Sequence, residues 1–125
     1  MPHSALDTIG RAWMILAADT NKFPSGDGRG GVVDTVAASA YKNARKCVIH
    51  NITEISHDAT NINSVQFCDA AGVDYADLAL AFTTNLAQRN HNIHDLHMEV
   101  SGLFGVRRTG TTPAGKFLIT FSVIP

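Results

Sequence analysis

Apolar and polar residues alternate most regularly near the end of the chain. Over residues 116–124, Phe117, Ile119, Phe121 and Val123 alternate with Leu118, Thr120, Ser122 and Ile124. A period of two marks a strand, and apolar residues on both faces place that strand well inside a sheet. Upstream, Leu96, Met98 and Val100 alternate with His97, Glu99 and Ser101, and residues 103–106 continue the run. This predicts a second strand with one wet face. Thr111, Thr112, Pro113, Ala114 and Gly115 between them are turn chemistry, so the pair reads as a hairpin.

Residues 47–55 and 62–68 read as two further strands with a loop over 57–61. In the first, Val48, Ile52 and Ile55 also keep helical spacing, and β-branched content decides for strand. Helical periodicity appears in three places. Over residues 4–19, Leu6, Ile9, Trp13 and Leu16 form one stripe behind Ser4 and Asp7, which resemble a capping box. Over residues 32–46, Val33, Val36, Ala37, Ala40 and Ala44 form an apolar side. Over residues 74–88, Leu78, Phe82 and Leu86 share a face, with Asp74 and Asp77 in the first turn where the helix dipole favours them. The alternative for this last segment is a strand through Leu78, Leu80 and Phe82. Residues 69–73 read as a turn, and residues 21–31 as a loop. The pattern therefore predicts an α+β fold in the order α-α-β-β-α-β-β: an antiparallel four-stranded sheet covered by helices.

The chain has 125 residues, which suits one domain. Its formal net charge of −1 gives no footprint for nucleic acid or an anionic membrane. Lys42, Arg45 and Lys46 form the largest basic cluster, and they fall in the last turn of the second predicted helix. The longest apolar run, residues 13–18, is too short to span a bilayer. The N-terminus lacks a basic leader region, so a cytoplasmic location is expected. Cys47 and Cys68, the two cysteines, are then expected to be reduced and buried. They would face each other only across a two-residue turn at His57 and Asp58, and a longer loop fits those residues better.

The densest polar stretch holds His91, His94, Asp95, His97 and Glu99. Such groups suit metal binding or acid–base chemistry. On a strand, His91 and His97 lie about 20 Å apart, too far to share one ion. No metal and no cofactor are therefore expected. His94, Asp95, His97 and Glu99 remain the candidates for a His–carboxylate pair in a pocket between helices and sheet. Gly26, Gly28 and Gly31 satisfy G-x-G-x-x-G, but no strand immediately precedes them, as a dinucleotide site requires. Gly28, Arg29, Gly30 and Gly31 could instead hold a simple anion with backbone amides.

The leading functional expectation is a non-enzymatic domain that works by homo-oligomeric assembly or partner binding. It rests on the C-terminal strand: one face is covered by the chain itself, and the face carrying Leu118 and Ile124 needs a second cover. A small enzyme using the His–carboxylate pair, and an anion-binding module using the glycine loop, are the alternatives.

Overall fold

The computed structural model describes residues 11–56, 63–82, 92–93, 96–109 and 115–125. In chain order the strands are β1 (Ala12–Leu16), β2 (Phe23–Pro24), β3 (Arg29–Gly30), β4 (Val32–Val33), β5 (Lys46–Ser56) and β6 (Asn63–Cys68). Then follow β7 (Asp74–Phe82), β8 (Asn92–Ile93), β9 (Met98–Ser101), β10 (Gly105–Thr109) and β11 (Lys116–Ile124). The one helical element among the described residues is a 3-10 turn at Val36–Ala38.

The main sheet has six strands in the order β3-β1-β11-β5-β8, with β9 also paired to β5. A three-stranded sheet runs β10-β6-β7, and β2 pairs with β4. Most pairings are antiparallel; β1 and β3 run parallel. Inward residues from the two larger sheets share one apolar core: Met14, Phe117, Ile119 and Phe121 from the main sheet, Val65 and Phe67 from the smaller. Phe104 joins the layers. Its ring lies 5.3 Å from that of Phe121 and 5.9 Å from that of Phe67.

This overturns the α+β expectation: strands, not helices, cover the main sheet. Each misread segment has a physical reason. Residues 12–16 carry a period of two as well as a helical one, and β1 buries Ala12, Met14 and Leu16 against β11. The rest of that predicted helix, residues 4–10, lies outside the described residues. In residues 32–46, amides that a helix would use internally bond elsewhere. Ala40 N donates to Ser25 O at 3.2 Å, and Ser39 Oγ donates to Pro24 O at 2.6 Å. The alanines there pack an irregular segment, and Lys46 begins β5 instead of ending a helix. Residues 74–82 take the strand alternative and pair with β6.

The hairpin is also corrected. The run from Met98 divides at Gly102, which has φ +75°. β9 stays in the main sheet on β5, and β10 crosses to the smaller sheet on β6. β11 pairs with β1 and β5, not with β10. Likewise β5 and β6 lie in different sheets, so Cys47 and Cys68 do not face each other; both are buried free thiols. The turn at 111–114 and the loop at 57–61 lie outside the described residues. Among the described residues, no helix is long and apolar enough to cross a membrane.

Candidate functional site

The regular alternation of β11 turns Phe121 inward and Ser122 outward. In register, Ser122 faces Val48 on β5, and Val48 faces Glu99 on β9. Ala12, which pairs with Phe121, is inward. Arg11, one residue earlier, therefore stands on the outer side, in the row of Ser122.

β5 is bulged here. Thr120 pairs with Asn51 while Phe121 pairs with Ile49, so His50 is the extra residue. Strict alternation would send Asn51 into the core and Ile52 out. The bulge puts His50 and Asn51 both on the outer face and returns Ile52 to full burial. The His50 carbonyl accepts the Leu96 amide at 2.8 Å, which ties the start of the β9 segment to the bulge. His97 follows with φ +40°, a left-handed conformation rare for a side chain of this size.

Together Arg11, His50, Asn51 and His97 line a pocket of about 130 Å³ on the outer face of the main sheet. The two imidazole centroids are 6.3 Å apart. His50 Nε2 lies 2.8 Å from Ser122 Oγ, and Asn51 Nδ2 donates to Thr120 Oγ1 at 3.1 Å. His97 Nε2 lies 3.3 Å from Glu99 Oε2, and Lys46 Nζ donates to Glu99 Oε1 at 2.6 Å. Lys46, with His97 behind it, holds the Glu99 carboxyl below the usual carboxylate range. Burial lowers the His50 pKa, and the positive charges of Arg11 and His97 act in the same direction.

The chemistry open to this group follows from exposure. His97 and Glu99, both candidates from the sequence, do meet, but their side chains are 67% and 48% exposed. Glu99 is also shared with Lys46. Water screens such a pair, so its power as an acid–base device is small. The Ser122–His50 contact has the distance of a nucleophile and base. Ser122, however, lies flat in a central strand with its side chain buried, not on the sharp turn that presents a serine nucleophile. What the pocket offers a ligand is donors: a guanidinium and two imidazoles. His94 and Asp95 lie outside the described residues.

The sequence signal for the missed member, His50, was present. Ile49, His50, Asn51 and Ile52 place two polar residues between two apolar ones, which breaks a period of two and marks a bulge.

The glycine loop folds around its own carboxylate. Asp27 Oδ1 accepts the Arg29 amide at 2.9 Å and the Ser25 hydroxyl at 2.9 Å. Of Gly28, Arg29, Gly30 and Gly31, Arg29 thus already gives its amide to an anion in the chain, and Gly31 lies beside that anion. A second, apolar pocket of about 280 Å³ lies between Tyr41, Ala44 and Val123. Among the described residues, no group of three or more His, Cys, Asp and Glu side chains is arranged to hold a metal ion. Comparison with protein-family models, with curated proteins and with solved structures finds no match to this chain.

Proposed function

We propose that this domain works by assembly, with the outer face of the main sheet packing against a second copy of the chain. The observation that supports this is the register of β1 on β11. Ile15 pairs with Leu118 and Trp13 with Thr120, all outward, while Met14, Ile119 and Phe121 on the same strands fill the core. Thr53 and Asn51 extend these two rows onto β5. On these three strands the two rows carry no charged residue; Arg11 and Lys46 lie in the rows beyond them. Trp13 remains 38% exposed although it is one of the largest apolar side chains.

Burying an exposed side chain of this kind is worth roughly 1.5–3 kcal/mol, and a twofold contact buries each one twice. An uncharged strip with an aromatic residue suits a self-complementary interface, where charged residues are depleted. The proposal keeps the outward face of Leu118 as the contact, while the other face of the sheet is covered by the smaller sheet and not by the expected helices. Sedimentation velocity is the test. Wild type is expected to run as a dimer or larger symmetric oligomer, and Leu118→Asp as a folded monomer. A wild type that stays monomeric at micromolar concentration ends the proposal.

A further inference from the structure

Outside the apolar strip, the most pointed feature of the molecule is the pocket of Arg11, His50, Asn51 and His97. We infer that it binds a tetrahedral oxyanion, such as a free phosphate or sulfate or the phosphoryl group of a monoester.

The side chains of the pocket come from separate places in the chain. Arg11 precedes β1, His50 and Asn51 sit on the bulge of β5, and His97 precedes β9. Three separate segments thus bring nitrogen-bearing side chains to line one space. Arg11 brings a permanent positive charge and a fork of N–H donors. Among the described residues it makes no ion pair. Each imidazolium adds charge and a further N–H. Donors that converge from three sides suit a ligand with three or four acceptor oxygens; a planar carboxylate offers only two. A volume of about 130 Å³ is of the size for one small anion and not for a large organic ligand.

The charges around the pocket agree. Glu99 is the one carboxylate of the described residues in this cluster. Lys46 neutralises it at 2.6 Å, so the negative charge is answered before any ligand arrives. Ser122 on β11 is neutral and touches His50. What remains is the Arg11 charge with the two imidazoles, of which His97 also lies 3.3 Å from Glu99 Oε2. Burial first, and then the fields of Arg11 and His97, disfavour the His50 imidazolium. A bound oxyanion opposes those fields and favours the imidazolium. Binding therefore takes up protons, and affinity rises as pH falls through the imidazole range.

The pocket shares the outer face of the main sheet, and Asn51, with the strip of the assembly proposal. Leu118→Asp lies in another row and separates the two: anion binding to that variant reads the pocket, and its sedimentation reads the assembly.

The test is a titration of the histidine ring resonances by NMR, with sulfate, inorganic phosphate, a simple phosphomonoester and acetate as probes. Sulfate keeps its charge across the range, so its pH dependence reports the protein alone. The expected result is saturable movement of the His50 and His97 signals with the tetrahedral anions, at least about tenfold tighter near pH 6 than near pH 8. Arg11→Gln, an exposed position, is expected to weaken sulfate by about tenfold. His50→Gln is expected to flatten the pH dependence. Preference for the monoester or for free phosphate identifies the source of the group, and either upholds the site. Rings that do not respond, acetate binding as tightly as sulfate, or unchanged affinity in Arg11→Gln each overturn it.

Discussion

The indole of Trp13 rests directly on the backbone of Gly30. A Cβ built on Gly30 would stand 2.4 Å from Trp13 Cζ3, well inside contact distance. β1 and β3 run parallel here, with Met14 beside Gly30 and Trp13 beside Arg29. Gly30 also has φ +91°, which L side chains seldom adopt. Gly30→Ala therefore has two costs, strain and a displaced ring, and should lose about 1–3 kcal/mol of stability. Trp13 is the only tryptophan, so its emission should change in the native state as well. Urea unfolding followed by that emission checks both; wild-type midpoint and spectrum would refute the contact.

Phe104 should be among the most costly residues to truncate. Its ring meets Phe121 of the main sheet edge-on and Phe67 of the smaller sheet at a tilt, and it is fully buried. Phe104→Ala removes the contact between layers and leaves a cavity, for a loss of about 3–5 kcal/mol. Phe104→Leu should recover much of this. The measurement is the denaturation midpoint; a loss within the range of surface substitutions would show that the layers are held elsewhere.

Cys47 and Cys68 are fully buried, and burial pushes both thiols up to about 11. Two thiols should react in the unfolded chain, and in the native chain only as fast as it opens. A count of zero in denaturant without reductant would contradict this. The same shift carries a pH dependence. The folded pKa lies above the reference value of 9.0, so the stabilisation is complete below that value. It is lost as pH rises from there through about 11, because the unfolded thiols ionise first. Cys47→Ala with Cys68→Ala should flatten that alkaline loss.

Of the strands, β5, β6 and β11 were legible in the sequence, while β1 and β7 were read as helices and the pairings were not legible. The alternation of Phe117 to Val123 predicts β11 at its observed bounds. β5 and β6 fall within a residue or so of their predicted ends. Pairing depends on where the chain turns, and Gly102 is a single residue that moves β10 from one sheet to the other. β1 failed for a different reason. Ile9, Trp13 and Leu16 keep helical spacing, while Met14 and Leu16 keep strand spacing, and tertiary pairing with β11 decides. Of the candidate site, His97 and Glu99 were found because they cluster in sequence. Arg11 was missed because only the fold brings it there, and His50 because the broken alternation from Ile49 to Ile52, which marks its bulge, was read as regular strand.

The last prediction concerns the glycine loop. Asp27 is held below its usual pKa by the Arg29 amide first, then by the Ser25 hydroxyl, with the Gly31 amide adding to them. A depressed carboxylate pKa stabilises the loop above the ordinary value of 3.8 and releases it as pH falls through the lower, folded value. Amide exchange at Arg29 should therefore be slow near neutral pH, relative to the same amide in Asp27→Ala. As pH falls below 3.8 and through the lower, folded value the two should converge, after correction for the intrinsic rate. The variant also separates two readings of this loop. With Asp27 in place, added phosphate should leave exchange over residues 25–31 unchanged, because the amide of Arg29 already has its acceptor. In Asp27→Ala that amide is released, and phosphate should slow its exchange. Phosphate protection in the wild type would instead return Gly28, Arg29, Gly30 and Gly31 to the role of an anion site.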